Sequence, residues 1–588
     1  MNLDPIQIPQ DNFFEVLVIG GGTCGLSISA RLLETHPGSL FTEDEHQRFH
    51  WLKQRGNKVN LINSKHSNYQ YKQNFSSKDI LILDSLGDKF MTGWNSQFDA
   101  CDKFMTGWNS QFDACKIPYL RSPMFFHVDP VNIDGMVSFA HLNNRNNELM
   151  EITNVVGKEY SKHQQKRIME KKKKKTKKKM NGKKENNHDS DGIVEINMRD
   201  YRDYYRPSTK LFHDYCQEII QRYNLESRIK QDEVISIDYK LIQVDGESDE
   251  IGKGLIITTK NGHTYGCKSA ILATGHRGDI NYPISPFIED AHFPESSCHT
   301  THLFNKQVSF LQDCYFNNPK SKRIVIIGGG LTSAQLAYVA AQDPTVSSIT
   351  LLFRSGIKIK HFDFHLDWVT KYRNVKKSSF YILDTDEEKI EMINNAREGG
   401  SINPEYYKKL IKLTKTNRIS WKIHTKIIDQ NWNIENNSWD LKIMNNENNE
   451  IELLKNIDYI YFATGISENI ESLEFLKPMI NENPIDIVGG YPCLTDNLQW
   501  NNEVPLFMLG KNAALRMGPT SANLDGARLG AERIGWYLQD LKQRGEFDWS
   551  PVKSITKDDE REQESNTYET RLKLASGQLN WFTLLESS

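Results

Sequence analysis

This sequence has no Cys-x-x-Cys pair, and none of its eight cysteines stands with histidines at metal-ligand spacing. The absence excludes a zinc finger or ribbon, so no metal is expected. It predicts a chain of the reducing cytoplasm without structural disulfides. Long apolar runs are missing too. None reaches the roughly 20 residues of a membrane-spanning helix, so no transmembrane segment is expected. Met1-Asn-Leu-Asp-Pro5 has neither the basic start nor the apolar stretch of a secretory leader. An excess of one charge is also absent: 73 Lys and Arg against 76 Asp and Glu give a formal net charge of −3, which predicts no nucleic-acid partner. The 588 residues are 38% hydrophobic, enough for sizeable cores in about two to four domains.

The most informative feature present is a glycine-rich turn that occurs twice. Val16-Leu-Val-Ile-Gly-Gly-Gly-Thr-Cys-Gly25 and Ile324-Val-Ile-Ile-Gly-Gly-Gly-Leu-Thr-Ser333 each follow an apolar β-type run and open a helical pattern. Each is closed much later by a strand ending in Ala-Thr-Gly, at Ala273-Thr274-Gly275 and Ala463-Thr464-Gly465. In such a turn the first glycine (Gly20, Gly328) leaves the strand sharply. The second (Gly22, Gly330) lets backbone approach a pyrophosphate, and the third position (Gly25, here Ser333 in the second copy) sets the helix close to the strand. The helix N-terminus then offers unpaired N–H groups to phosphates. Two turns interleaved with two endings predict a chain that holds two dinucleotides.

Several segments interrupt this plan. Residues 34–79 form a polar insert with one modest β run, Lys58-Val-Asn-Leu-Ile62. The stronger strand after it, Asp79-Ile-Leu-Ile-Leu-Asp84, ends in an acid suited to ribose hydroxyls. The competing reading takes the run at 58–62 as the ribose-binding strand and ends it at Asn63, but a carboxylate accepts two hydroxyl protons better than an amide does. Asp88–Cys101 repeats without change as Asp102–Cys115. Phe90, Trp94 and Phe98 share a helical face that the second copy continues, so a helix could absorb the extra unit, or one copy loops out; identity this complete points to a recent duplication or a sequence-assembly error rather than two selected roles. Residues 161–192 carry Lys171-Lys-Lys-Lys-Lys-Thr-Lys-Lys-Lys179, a self-repelling run expected to be disordered. Nuclear import through this run is the alternative to a purely cytoplasmic location. Pro207 to Tyr223 reads as a helix with Pro207 at or near its first turn and Ser208 or Thr209 near its cap. Strands follow at Glu233–Ile237, Leu241–Val244 and Leu255–Thr259.

In the second unit the strand Ser348–Phe353 ends in Arg354-Ser355. An acid there would repel a 2′-phosphate, whereas a planar guanidinium suits phosphate oxygens. This predicts NADPH rather than NADH. His299 stands where it could touch the nicotinamide side or serve as a satisfied linker histidine. Arg121, Ser122 and His127, within Tyr119–Pro130, suit the wall of a flavin pocket or a packed loop between prolines.

The order of these pieces resembles the two-dinucleotide flavoproteins, specifically class B flavin monooxygenases, and most of all the N-hydroxylating lysine and ornithine monooxygenases. The likeness rests on Gly20/Gly22/Gly25, on the stretch from Trp108 to Leu120-Arg-Ser-Pro123, on Pro207-Ser208 with Phe212 and Tyr215, and on Gly328/Gly330/Ser333 followed by Arg354. Phe293 to His299 has the spacing of the Phe-x-Gly-x-x-x-His signature of related monooxygenases, with Glu295 in place of the glycine.

The resemblance implies an α/β fold of two Rossmann-like, glutathione-reductase-type dinucleotide-binding domains, each with a β-meander, the NADPH domain inserted in the FAD domain. The expected boundaries are 13–300 for the first part of the FAD domain and 321–465 for the NADPH domain, with a helical insert at about 362–422. Residues 466–548 then complete the FAD domain, and 549–588 form a tail. It further implies FAD at the first turn, with Asp84 on the ribose and Val234 meeting the adenine through its backbone. Gly510 and the helix after Pro519 would approach the flavin, with Asn523 near its rim. NADPH would lie at the second turn. The implied activity is monooxygenation of a small amine or sulfur substrate by molecular oxygen through a flavin C4a-hydroperoxide. Alternatives are an NAD(P)H-dependent flavin reductase or oxidase, or a non-catalytic FAD-binding regulatory protein. Disulfide reductases share the plan, but no cysteine partner lies near Cys24 in sequence. No side chain is singled out as catalytic, because the cofactor carries the chemistry.

Overall fold

A computed structural model describes residues 5–35, 37, 75–87, 115–153, 155, 204–245, 251–275, 278–283, 296–304, 307–316, 318–370, 372–433 and 435–547. The β run at 58–62, the alternative acid-binding position Asn63, nearly all of the duplicated segment, the lysine run, Phe293 to Glu295 and the tail lie outside these residues.

Val16, Leu17 and Val18 are fully buried, as expected of a strand covered on both faces of a parallel sheet. Their strand, Phe13–Ile19, lies at the centre of five parallel strands in the order Ile229–Gln231, Ile80–Asp84, Phe13–Ile19, Thr264–Leu272, Leu506–Met508. The N-terminal half of Thr264–Leu272 also closes an antiparallel meander with Val234–Asp245 and Ile251–Thr259, so one strand serves both layers. The second sheet repeats the plan. Its order is Ser420–Lys422, Val346–Leu352, Lys322–Ile327, Tyr459–Phe462, Ser297–His299, all parallel. Its own meander is Thr425–Asn433, Ser438–Asn445 and Ile451–Ile457. The α/β class, the two Rossmann-like units with meanders, and the insertion of the second unit in the first all stand: Leu506–Met508 returns to the first sheet after the second is complete.

The two units are joined by a small antiparallel ladder, Asp279–Ile280 on Ile466–Ser467, just after the two Ala-Thr-Gly endings. Between Val346–Leu352 and Ser420–Lys422 the chain makes three helices, Arg373–Tyr381, Asp386–Arg397 and Pro404–Lys415. Thr385 and Glu388 form a reciprocal capping box, and Asn403 caps the helix that Pro404 opens.

Three local expectations need correction. The helix expected from Pro207 begins two residues later, at Thr209, so Pro207 stands next to its first turn and not in it. It ends the strand Tyr205–Pro207, where its missing N–H costs nothing, and Ser208 caps Thr209–Arg222 by accepting from Leu211 N at 2.9 Å. Glu233–Ile237 and Leu241–Val244 are one continuous strand, because Asp238-Tyr-Lys240 stays paired with Gly254–Ile256 rather than turning. Ser297–His299, counted with the first unit by sequence, pairs with Tyr459–Phe462 at the edge of the second sheet.

Candidate dinucleotide cleft

The two glycine turns are built alike down to single hydrogen bonds. Gly20 N donates to Leu83 O at 2.8 Å and Gly328 N to Leu352 O at 3.0 Å. Ala273 N reaches Ile19 O and Ala463 N reaches Ile327 O, both at 2.8 Å. Gly20 and Gly328 have φ of 112° and 146°, and a Cβ on either would stand 2.4 Å or 2.2 Å from the carbonyl of Ala273 or Ala463. Only glycine fits there. The third positions differ. A Cβ on Gly25 would lie 1.9 Å from Gly20 O, whereas in the second turn Ser333 fits and its hydroxyl donates to Gly330 O at 2.7 Å.

Both turns open on one cleft of about 2070 Å³. Gly20, Gly22, Asp84, Val234, Gly275 and Asn523 line it from the first unit, and Gly328, Gly330, Arg354, Ser355 and Gly465 from the second. Gly25, Ser333 and Gly510 do not line it; they pack behind residues that do, against Gly20, Gly330 and Cys24. Asp84 ends its strand with Oδ2 accepting from Gly21 N at 2.6 Å and Oδ1 from Leu86 N at 2.8 Å, which orients the carboxylate at the first turn. Asn523 caps the long helix Leu524–Arg544 by accepting from Asp525 N and Gly526 N. Arg354 is exposed at the end of Val346–Leu352.

The other candidates divide. Arg121 and Ser122 line the cleft, but His127 is buried away from it. His299 lies at the cleft. Its Nδ1 accepts the Thr301 N–H at 3.2 Å and its other face turns toward the Gly465 backbone. Burial, with His302 beside it, pushes its pKa down to about 4, so the ring is neutral. Burial pushes the Cys24 thiol up to about 12, the opposite of a reactive thiolate. The seven described cysteines are all free. Among the described residues no group of three or more His, Cys, Asp or Glu side chains could hold a metal ion, and no helix is long and apolar enough to cross a membrane.

The cleft suits dinucleotides. A Cβ on Gly22 would meet no atom within 4 Å, leaving room beside the N-terminus of Thr23–Leu33, and Thr274 Oγ1 is buried without a partner among the described residues. Sequence reasoning missed Arg206, Lys511 and the Gly399-Gly400 turn, which also line the cleft. Lys511 forms an ion pair with Glu468. The adjacent glycines between two helical patterns were the one signal available.

Residues 14–485 match the profile of the pyridine nucleotide-disulphide oxidoreductase family. The chain belongs to that family. No curated protein matches it significantly. Among solved structures, the ornithine hydroxylase of Pseudomonas aeruginosa superposes with a TM-score of 0.53 at 13% identity, over 90% of this chain and 99% of that one. The FAD-bound cadaverine monooxygenase of Erwinia amylovora gives 0.51 at 13% identity, over 92% and 100%. The ornithine N-hydroxylase of Kutzneria sp. 744, solved with reduced FAD, NADP+ and L-ornithine, gives 0.51 at 11% identity, over 91% and 100%. At such identities the likeness is one of fold. This member of the family has no Cys-x-x-Cys pair, and burial holds the thiol of its first glycine turn protonated.

Proposed function

We propose that this protein is an FAD-dependent NADPH oxidoreductase that oxygenates a small amine or sulfur nucleophile. One observation carries the reading: two equivalent phosphate turns, each with its Ala-Thr-Gly ending, face one cleft. The neighbours solved with FAD, or with reduced FAD and NADP+, support the choice of ligands. Bound flavin would supply hydride acceptance and oxygen activation. The chain's own residues bind, orient and exclude water.

At the first site the Gly20–Gly22 turn and the helix from Thr23 would hold the FAD pyrophosphate. Asp84, already oriented by Gly21 N, would accept the ribose hydroxyls, and Val234 would meet the adenine through its backbone. Gly275 and Asn523 would frame the flavin, with Gly510 one layer back, beside Cys24. At the second, Gly328, Gly330 and Gly465 would pass NADPH across the cleft toward it, with Ser333 bracing the turn. Arg354 and Ser355 would hold the 2′-phosphate. A charge-assisted hydrogen bond contributes about 1.5–3 kcal/mol, or roughly ten- to hundredfold preference for NADPH over NADH.

The test is the absorption spectrum of purified protein before and after anaerobic NADPH. A flavin band that bleaches is expected. A well-folded, colourless protein that refuses added FAD would end the proposal. Arg354→Ala should raise the Michaelis constant for NADPH about tenfold or more and spare that for NADH. Equal effects on the two would remove the 2′-phosphate assignment. Oxygen uptake coupled to an amine or sulfur substrate is the expected signature of oxygenation, and peroxide release uncoupled at every substrate concentration would favour an oxidase.

A further inference from the structure

Between Asp386–Arg397 and Pro404–Lys415 the chain turns through Glu398, Gly399 and Gly400, with Glu398 and Gly399 in left-handed backbone at φ 53° and 82°. This turn lies against the second phosphate turn. A Cβ on Gly400 would stand 2.8 Å from Gly330 N and 3.0 Å from Gly329 C. Both turns line the cleft. Successive backbone N–H groups in such conformations form concavities that take anions.

The turn is clamped from its own unit and from the other one. Lys358 Nζ donates to Glu398 O at 2.6 Å, and Lys360 Nζ donates to Arg397 O at 3.0 Å. Arg121 reaches the segments beside the turn, residues 360–363 and Ser401, from the first unit. Its Nε donates to His361 O (2.9 Å), the two hydrogens of Nη2 are shared among Lys360 O (3.0 Å), Phe362 O (2.9 Å) and Ser401 Oγ (3.0 Å), and Nη1 pairs with Asp363. Arg121 stands on a firm base, because Leu120 N donates to Pro207 O at 3.1 Å and Thr209 N to Pro118 O at 3.0 Å. A guanidinium committed to three carbonyls and a hydroxyl is a planar brace, which an ammonium cannot replace.

We propose that the Glu398–Gly400 turn closes the diphosphate site of the second dinucleotide, and that Arg121 is the positioning residue that holds it there from the first unit. The inference rests on the assignment of NADPH to the second turn. It goes further by making that site depend on a side chain of the flavin-side wall.

Calorimetric titration of the FAD-loaded protein tests it with two ligands. NADP+ carries the diphosphate, and adenosine 2′-monophosphate lacks it. In Gly400→Ala and in Arg121→Lys, the NADP+ dissociation constant should rise about tenfold or more while that for adenosine 2′-monophosphate stays within about twofold. A change of less than about twofold for NADP+ in both variants would overturn the proposal. So would equal weakening of the two ligands, the mark of general structural damage. If the unaltered protein binds neither ligand, the assignment of the second turn falls first and takes this inference with it.

Discussion

His127 and His299 lose their charge on folding for the same reason. Each ring is buried, and burial is the largest influence pushing its pKa to about 4. An unfolded histidine titrates near 6.5, so between about pH 6.5 and 4 the unfolded chain binds protons that the folded chain does not. Each ring therefore leaves stability intact above about 6.5 and removes up to about 1.4 kcal/mol per pH unit below it. His127 accepts from Asp129 N at 3.2 Å and bonds Ile133 O at 2.9 Å through its other nitrogen. Glutamine can supply the same acceptor and donor without titrating. His127→Gln should therefore give a shallower fall of melting temperature from pH 7 to 5 than the unaltered protein. Parallel profiles would refute the role of this ring. Its inward position was not legible in the sequence. Arg121 and Ser122 line the cleft and His127 does not, and an irregular tract between prolines has no period from which to tell inward from outward.

At the scale of elements, the first and last helices of the described chain lock together. Arg31, on Thr23–Leu33, is only 1% exposed, and its Nε donates to Glu532 on Leu524–Arg544 at 2.6 Å. Gln539 accepts from both Nη atoms at 3.2 Å. Removing one partner of a buried ion pair costs about 3–5 kcal/mol, because a charge is left without compensation. Glu532→Ala should therefore lower the urea midpoint sharply, and a loss below about 1 kcal/mol would show the pair to be dispensable. From sequence Arg31 looks like an ordinary cation in the last turn of a surface helix. Its partner lies 501 residues away, and no local pattern joins them.

The whole molecule is one chain folded through itself. Leu506–Met508 pairs with Thr264–Leu272 only after the second unit has been completed, and Leu524–Arg544 then covers the first helix. A chain cut after residue 465 would leave that strand edge open and Arg31 unpaired. It should yield no soluble protein that holds FAD, measured as flavin per protein after purification. A truncated chain with full flavin content would contradict this topology.

The two turns, their strand and helix neighbours and the two endings could be read from the chain because each is a local feature: apolar runs, glycines at fixed offsets, a cap. Those features determined the fold class and located both candidate phosphate sites. What the tertiary structure alone decided is the meeting of distant segments: Ser297–His299 joining the second sheet, Arg121 bracing residues 360–401, Arg31 paired with Glu532. Local backbone and burial preferences are written in neighbouring residues. The choice of partner across hundreds of residues depends on packing and hydrogen-bond geometry that exist only once the sheets have formed.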